Sequence, residues 1–418
     1  MKNTKRLSVS QNAVYNTVGT IVYCVCQWII SSLLVVHLSP MEESVKNAGL
    51  LQLSISITNI FLAIANYNMR TYQISDTDNE YTSGDYVGMR FVTTTIALLM
   101  CVVYVIVLGY SAKTVLCITV YMIFKLSESF CDVLHGVDQK NYRMDYVGIS
   151  FAVRGIVTVA AFALSMVFTK SLMVSVCLCS ISAFLVIALY DVKCAASFES
   201  IRPVFNGKTI LQMLVSCLPS VVSSAAFIAI SSVPRQFLEG ILGEEALGYY
   251  GTIATPLVVV QVLATSIFNP MLTDMSLCYS NRDIKGFLSF VWRTLGFLAI
   301  ISGVIYVCVL LLGELAVGIV FGSRFVPYTH LMYGIVGCTV LYAVCWFLCC
   351  ALIIMRKLKV YMIASLVTLA FSALSAKPFI NVFGMNGVSV SIMLAYVIHI
   401  AACTVVIYID LKNKRKKS

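Results

Sequence analysis

Long runs of apolar residues dominate the sequence, and short polar segments separate them. Most runs are about 20 residues long, which is the length that an α-helix needs to cross the hydrocarbon core of a bilayer. The runs are continuous, whereas the strands of a membrane β-barrel would alternate between apolar and polar positions. The pattern therefore predicts about twelve membrane-spanning helices. Their predicted bounds are 13–38, 47–67, 88–110, 114–134, 147–169, 172–190, 209–232, 247–271, 287–312, 328–355, 359–380 and 387–409.

The composition agrees with a membrane protein and excludes a water-soluble enzyme. Of the 418 residues, 60% are hydrophobic and 11% are charged, whereas a soluble domain is typically about 25% charged. The expected fold class is an all-α polytopic membrane protein. The longest polar segment, 68–86, is too short for a separate domain, and we expect it to be a solvated cytoplasmic loop.

The net charge of +10 is spread along the chain and is not gathered into a nucleic-acid-binding patch. Sorted by the predicted spans, about 22 basic residues lie on the side of the two termini and 6 on the other side. The cytoplasmic loops of membrane proteins carry such an excess of Lys and Arg. We therefore expect both termini to be cytoplasmic, with the basic tail 412–417 against anionic lipid headgroups and no nucleic-acid partner.

A weak internal repeat relates the two halves of the chain. Paired serines, paired glutamates and a glycine in 31–49 recur in the same order in 231–248. Six spans per half give both halves the same orientation, as in transporters built from parallel repeats. We predict an N-terminal six-helix lobe at 1–195 and a C-terminal six-helix lobe with the basic tail at 196–418, related by a pseudo-two-fold axis along the membrane normal.

The 16 cysteines and four histidines form no catalytic or metal-binding pattern. Most of the cysteines lie inside apolar runs, where a thiol behaves as a small hydrophobic group. His399 is the histidine placed deep inside a span, and we expect it to be a packed polar residue without metal ligands beside it. Because no nucleophile, phosphate-binding or zinc-protease motif occurs, we expect neither an enzyme nor a bound metal or cofactor.

The fourth span carries the most informative polar residues. Tyr121, Lys125, Glu128 and Asp132 follow one another at intervals of three or four, which places them on one helix face. We predict that Lys125 pairs with Glu128. The stripe then either lines a water-filled interior or is a self-compensated pair facing another helix. Glu128 and Asp132 are the candidates for coupling transport to a proton or sodium gradient.

Two arginines and two prolines mark further positions in the spans. Arg154 lies well inside the fifth span, where it either reaches the cytoplasmic surface or faces a cavity and holds an anion. Arg90 opens the third span, and we expect it to reach the surface by snorkelling. Pro219 and Pro256 lie in the seventh and eighth spans, where proline bends a helix, and are the hinge candidates.

Six segments carry landmark glycines, prolines and charged residues: LSPMEESVKNAGLLQLSIS (38–56), NYNMRTYQISD (66–76), DVLHGVDQKNYRMDYVGISFAVRG (132–155), SSVPRQFLEGILGEEALGYYGTIATP (231–256), VFGSRF (320–325) and FGMNGVSVSIMLAYV (383–397). Together they resemble the polysaccharide (O-antigen type, Wzx-like) flippases. These belong to the multidrug/oligosaccharidyl-lipid/polysaccharide (MOP) exporter superfamily, which also contains the multidrug/toxin (MATE) extruders. The resemblance covers essentially the whole chain, and its motifs are structural rather than catalytic.

The resemblance implies a flippase with a MOP/MATE-like fold in the bacterial cytoplasmic (inner) membrane. Its substrate would be an undecaprenyl-pyrophosphate-linked oligosaccharide, a repeat unit of lipopolysaccharide O-antigen, capsule or exopolysaccharide, moved by alternating access. Arg154 and Lys125 would match the charge of the pyrophosphate. Membrane lipids, a polysaccharide polymerase and a chain-length regulator are the other implied partners. The amide side chains that would contact the sugars are Asn16, Gln27, Asn59, Asn66, Gln261 and Asn269.

Two other functions stay open at this point. A cation-coupled multidrug extruder of the same superfamily should hold carboxylates deep in its N-terminal half, and this chain offers Glu128 and Asp132 beside basic residues. An integral-membrane glycan polymerase or acyltransferase should carry a large external loop or an intramembrane His/Asp pair. The sequence pattern indicates neither of these features.

Overall fold

The computed structural model describes residues 7–76, 80–281 and 283–415, and for residues 9, 257–274 and 413–415 it describes the backbone alone. Within these residues the regular structure is helical, with no β-strand. The first part of the chain forms α1 (Ser10–Leu38), α2 (Ser44–Asn66), α3 (Met69–Ser75), α4 (Ser83–Val107), α5 (Ala112–Lys140), α6 (Met144–Thr169) and α7 (Leu172–Ala196).

The second part begins with one long helical element, Gly207–Ser280, which is interrupted at Gly243. The backbone there has φ 86° and ψ 173°, a conformation that glycine adopts at little cost. We number the helix before this break α8 and the helix after it α9. The remaining helices are α10 (Ile284–Phe321), α11 (Leu331–Ile354), α12 (Leu358–Phe383) and α13 (Asn386–Arg415).

The helices agree with the predicted spans. In the described part of the chain, eleven helical stretches are long and apolar enough to cross a membrane, and one of them, Gly207–Pro256, runs across the break at Gly243. The predicted eighth span, 247–271, falls on α9. The predicted fold class, an all-α polytopic membrane protein, is confirmed.

The expectation of a solvated loop at 68–86 is wrong for the first half of that segment. Tyr67 and Asn68 take left-handed backbone conformations, with φ of 50° and 51°, and turn the chain sharply after α2. The short helix α3 follows, and it buries Met69 and Gln73 against α5. This helix is therefore packed on α5 along one face, while Thr71 and Ser75 on it are exposed.

The chain divides into two compact units, Met1–Ala225 and Ala226–Ser418. The division falls within α8, whose first part contributes Met213, Cys217 and Val221 to the core of the first unit. The six-helix lobes at 1–195 and 196–418 and the axis relating them stay predictions.

Helices α1 and α6 of the first unit approach each other at backbone distance. A Cβ atom on Gly19 would lie 2.3 Å from the carbonyl oxygen of Gly148, and one on Gly148 would lie 2.3 Å from the carbonyl oxygen of Tyr15. No side chain fits in that space, so both positions require glycine. The same close approach brings Tyr23 of α1 under Arg154 of α6.

Two helices contain short π-helical segments, in which i→i+5 hydrogen bonds widen the turn by one residue. The segments are Ile29–Leu34 in α1 and Ile187–Asp191 in α7. In α1, the Ser31 carbonyl accepts a hydrogen bond from Gln52 Nε2 of α2 at 3.3 Å. In α7, the π segment ends at Asp191, whose side chain is buried.

Candidate functional site

The first unit holds ionisable side chains between its helices, where each one needs a partner or a function. They form three clusters, which we name after their carboxylates. The Glu128 cluster consists of Tyr23, Lys125, Glu128 and Arg154, the Asp132 cluster of Arg70, Arg90 and Asp132, and the Asp191 cluster of Cys131, His135 and Asp191.

Glu128 of α5 has two partners on one carboxylate oxygen. Lys125 Nζ lies 2.8 Å from Glu128 Oε1, and the Tyr23 hydroxyl donates a hydrogen bond to the same oxygen at 2.7 Å. The predicted pair of Lys125 and Glu128 is confirmed. The bond from Tyr23 had no signal in the helical spacing, because the two residues are 105 positions apart.

Arg154 of α6 is almost completely buried, at 1% exposure, so it does not reach the cytoplasmic surface. Its guanidinium carbon lies 4.6 Å from the ring centre of Tyr23 and 5.6 Å from that of Phe151. Such cation–π contacts stabilise the charge without using its N–H donors. Arg154 Nε and Nη1 have no hydrogen-bond partner among the described residues. Unpaired buried donors are rare in native proteins and indicate a place where an ion, water or ligand belongs.

Arg90 of α4 is fully buried, so the expectation that it snorkels is wrong. Arg90 Nη2 lies 2.8 Å from Asp132 Oδ2, and Nη1 donates to the Ala65 carbonyl at 2.6 Å. Arg70 of α3 makes a longer contact of 3.8 Å with Asp132 Oδ1. Asp132 is therefore the counter-ion of two arginines from two other helices. Its predicted role in ion coupling stays a prediction and would require this pairing to open.

Sequence reasoning missed the Asp191 cluster. The π segment of α7 brings the Asp191 carboxylate against α5, where Cys131 Sγ donates to Oδ2 at 3.4 Å and His135 Nε2 lies 3.2 Å from Oδ1. All three side chains are buried. The available signal was the spacing of Cys131 and His135, four residues apart on one helix face.

Asp138, near the end of α5, is a second missed carboxyl. It is buried, and neither of its side-chain oxygens has a hydrogen-bond partner among the described residues. It escaped the sequence analysis because the fourth span was predicted to end at residue 134. A buried polar group without a partner is costly, which makes Asp138 a candidate for binding a cation or a proton.

The amide side chains proposed to contact sugars lie in different settings. Asn16 and Gln27 share a face of α1 with Tyr23, because they lie seven residues before it and four after it. Asn16 is half-buried, and Gln27 Nε2 is buried without a partner among the described residues. Asn66 accepts a hydrogen bond from a serine hydroxyl of α5 at 2.6 Å. Gln261 lies outside the described side chains, and contact of these residues with a sugar stays a prediction.

The two hinge candidates lie within continuous helix. Backbone geometry stays helical through Pro219 and Pro256, and the Ser223 hydroxyl donates to the Pro219 carbonyl at 2.6 Å. The departure from helical geometry between α8 and α9 is at Gly243. A hinge function of either proline stays a prediction.

Outside the spans, Asp76 organises the polar segment before α4. Its carboxylate accepts hydrogen bonds from the backbone N–H of Glu80 at 2.9 Å, from that of Tyr81 at 3.2 Å and from the Tyr86 hydroxyl at 3.0 Å. Burial acts to raise the pKa of Asp76, but these hydrogen bonds outweigh it and hold the pKa below its ordinary value of 3.8. The segment is therefore held by an ionised carboxylate.

Among the side chains that the structure describes, two groups have the composition of metal ligands. One is the Asp191 cluster, and the other, in the second unit, consists of Cys349, His399 and Cys403. The expectation that no ligating residue accompanies His399 is wrong, because Cys403 follows it by four residues on the same face of α13.

No protein-family model matches the sequence. The capsular polysaccharide biosynthesis protein CapF of Staphylococcus aureus is 26% identical over 319 residues, which are 75% of this chain and 78% of CapF.

Solved transporter structures match the chain along its whole length. The MATE multidrug transporter DinF-BH, in complex with R6G, has a TM-score of 0.69 at 12% identity and is matched over 98% of each chain. An inward-facing multidrug resistance MATE family transporter of the MOP superfamily has a TM-score of 0.68 at 10% identity, over 100% of this chain and 98% of that chain. The chain therefore has the same fold as these two transporters.

Most of the charged side chains described inside the first unit are matched by a neighbour of opposite sign. Among the described residues, Arg154 Nε and Nη1 and both carboxyl oxygens of Asp138 have no hydrogen-bond partner. The arrangement can accept an anion at Arg154 without breaking an ion pair. Proton or cation binding at Glu128 or Asp132 would require one of their pairs to open.

Proposed function

We propose that the protein is a flippase that carries an undecaprenyl-pyrophosphate-linked oligosaccharide across the bacterial cytoplasmic membrane by alternating access. The observation that carries this proposal is the buried guanidinium of Arg154, whose Nε and Nη1 have no protein partner in the described part of the chain. These two donors point from different edges of the planar guanidinium, so each could donate a charge-assisted hydrogen bond to a different phosphate oxygen. A pyrophosphate crossing the membrane needs a site of this kind.

The charges around Arg154 favour an anionic cargo over a cationic one. Lys125 and Arg154 face the single carboxylate of Glu128 within their cluster. Asp132 is already matched by two arginines. Asp191 interacts with Arg154 through space, yet both of its oxygens accept other hydrogen bonds. A cationic drug would instead need carboxylates in excess.

The similarity to CapF supports a glycan precursor as the cargo, because CapF is named for capsular polysaccharide biosynthesis. The MOP fold supports membrane transport, because its solved relatives are transporters. The same role supplies the expected partners, namely membrane lipids, a polysaccharide polymerase and a chain-length regulator. Cytoplasmic termini and location in the inner membrane are parts of this proposal.

The test is transport by purified protein in proteoliposomes that contain a fluorescently labelled, undecaprenyl-pyrophosphate-linked oligosaccharide. The measured quantity is the rate at which the glycan becomes accessible to an enzyme added outside. We expect Arg154→Gln to lower this rate at least tenfold. Arg154→Lys should retain an intermediate rate, since it keeps the charge and loses the fixed directions of the guanidinium donors.

The matched control is Arg202→Gln, because Arg202 is exposed and should tolerate the change. Thermal melting of each variant in detergent separates loss of transport from loss of folding. A folded Arg154→Gln variant that transports at the wild-type rate would overturn the role of Arg154. Wild-type protein that moves no lipid-linked glycan would overturn the flippase proposal itself.

A cation-coupled multidrug extruder is the second candidate function, and one observation favours it. Asp138 is a buried carboxyl whose oxygens lack hydrogen-bond partners among the described residues, and it could bind a cation or a proton. Efflux of a cationic dye from cells that express the protein tests this function. Efflux that is lost in Asp138→Asn, together with absent glycan transport, would favour the extruder.

A further inference from the structure

Three metal-ligating side chains of the second unit come together between α11 and α13. Cys349 of α11 and His399 and Cys403 of α13 are all buried. Cys349 Sγ lies 3.2 Å from His399 Nε2, and the three ligand atoms lie within 4.8 Å of one another. A metal ion at their centre would separate sulfur and nitrogen ligands by about 3.5 Å, from metal–ligand distances of about 2.3 and 2.0 Å. The three side chains are therefore already close to ligand spacing.

The hydrogen bonds behind His399 prepare its other nitrogen to bind a metal. The Thr368 hydroxyl donates to the Ala364 carbonyl at 2.7 Å, so it must accept from His399 Nδ1, which lies 3.2 Å away. The proton of the neutral imidazole is then on Nδ1, and the lone pair of Nε2 points at Cys349. Metal-binding histidines are commonly held in this way by a second hydrogen bond.

The other group with metal-ligand composition, the Asp191 cluster of the first unit, has no free lone pair prepared in this way. There, the Asp191 carboxylate already accepts hydrogen bonds from both Cys131 and His135. Arg154 also lies near enough to interact with Asp191 and Cys131 electrostatically. A nearby fixed positive charge opposes the binding of a metal cation. The two triads are therefore not equivalent, and the site in the second unit is the better metal site.

We propose that Cys349, His399 and Cys403 bind one Zn²⁺ ion that links α11 to α13. Two thiolates and a neutral imidazole give a complex with no net charge, which suits an apolar interior that penalises isolated charge. Binding releases two thiol protons to solvent, so affinity should rise with pH. Three protein ligands leave a fourth coordination position for a water molecule or another exchangeable ligand. This inference does not depend on the proposed flippase activity.

The first test is the zinc content of the full-length protein, purified in detergent under reducing conditions without chelators. Elemental analysis should find about one zinc per chain in the wild type. Cys349→Ser and Cys403→Ser should lower this content at least tenfold. The matched control is Cys101→Ser, since Cys101 is an equally buried thiol of the first unit outside both triads. The Cys101→Ser variant should still contain about one zinc per chain.

A second test needs no variant and therefore does not depend on how the substitutions fold. Wild-type protein stripped of metal and loaded with Co²⁺ should show thiolate-to-cobalt absorption in the near ultraviolet. Its melting temperature should rise on adding Zn²⁺ and fall again with a chelator. Failure to take up about one Zn²⁺ or Co²⁺ per chain would overturn the proposal, as would uptake of Cu⁺ alone. In protein purified without reductant and then unfolded, a titration that finds two thiols fewer than the 16 cysteines, with no such deficit in Cys349→Ser, would show a Cys349–Cys403 disulfide and overturn it too.

Discussion

Tyr23 and Glu128, which are 105 positions apart in the sequence, are joined by a 2.7 Å hydrogen bond from the phenol hydroxyl to Oε1. The same tyrosine ring lies under the guanidinium of Arg154. One side chain of α1 therefore contacts a carboxylate of α5 and a cation of α6. A movement of α1 relative to either helix would change the environment of both charges.

Tyr23→Phe tests the hydrogen bond separately from the ring. The phenylalanine ring still lies under Arg154, whereas the bond to Glu128 is lost. Because Lys125 keeps its contact with the same oxygen, we expect stability to fall by about 1 kcal/mol. The measurement is thermal melting in detergent. The control is Tyr15→Phe on the exposed face of the same helix, and an equal shift in both variants would contradict the role of the hydroxyl.

Lys125→Met and Glu128→Gln, made singly and together, test whether the pair acts as a unit. Glu128→Gln leaves the buried charge of Lys125 without its partner, and Lys125→Met leaves Glu128 with Tyr23 and Arg154 alone. Each single change should therefore cost more than the double change. We expect a coupling free energy of at least about 1 kcal/mol from the thermodynamic cycle. The control is Lys357→Met, which opens a more exposed pair with Asp410 and should cost less than about 1 kcal/mol.

Transport by the same variants distinguishes a structural pair from a coupling pair. If the pair is only structural, the double variant should regain transport together with stability. A stable double variant without transport would assign Glu128 or Lys125 to coupling or to substrate binding. Single variants as stable as the wild type would refute the pairing.

Loss of Arg90 should lower the stability of the protein far more than loss of Arg70, although both arginines contact Asp132. Arg90 is fully buried and 2.8 Å from the carboxylate, whereas Arg70 is partly exposed and 3.8 Å away. Arg90→Gln breaks the short, buried contact and leaves Asp132 with the longer Arg70 contact alone, and should cost about 3–5 kcal/mol. Arg70→Gln should cost less than about 1 kcal/mol. Melting temperatures that fall in the opposite order would contradict the assignment of Arg90 as the main partner.

Gly148→Ala should weaken the packing of α1 on α6. Its Cβ atom would lie 2.3 Å from the Tyr15 carbonyl oxygen, so the two backbones must move apart. Gly240→Ala is the matched control, because no atom lies within 4 Å of that Cβ position and alanine favours helix by up to about 1 kcal/mol. We expect a lower melting temperature and reduced transport for the first variant and an unchanged or higher melting temperature for the second.

The stabilisation by Asp76 should disappear in acid. The pKa of Asp76 lies below 3.8 in the folded protein, so its contribution is present above the unfolded-state pKa and is lost as the pH falls through the folded one. Wild-type protein should therefore melt at a higher temperature than Asp76→Asn at pH 6. The difference should shrink as the pH falls below about 4. A difference that does not change with pH would show that the ionised carboxylate is not what holds this segment.

Hydropathy was enough to predict the helices, because each membrane-spanning helix makes its backbone hydrogen bonds within itself and presents mainly apolar side chains to its surroundings. Spacing along one helix sufficed for the pair of Lys125 and Glu128, since both partners lie on α5. The partners that were missed come from other helices. Arg90 was expected at the surface because its partners, Asp132 and the Ala65 carbonyl, lie on other helices and cannot be paired with it from the sequence alone.

Two further errors had local causes. Asp138 and Asp191 were placed beyond the predicted ends of their spans, because polar residues lower the hydropathy at the point where a buried helix continues. Cys403 was visible at four residues from His399, yet an apolar setting made both residues look like ordinary packing. Cys349 completes that group from another helix and had no signal in the sequence.

The π segment before Asp191 fixes the rotational phase of α7. Each residue of an α-helix advances by about 100°, so removing one residue from Ile187–Asp191 would turn the carboxylate away from His135. Removing one residue from Ile29–Leu34 would likewise rotate the two parts of α1 relative to each other. When homologous chains are aligned, a one-residue gap at either place is therefore not a neutral loop event. If the gap is placed a few positions too early or too late, the alignment pairs Asp191 with a residue on another face of the helix. It then no longer shows whether a homologue has the Asp191 cluster.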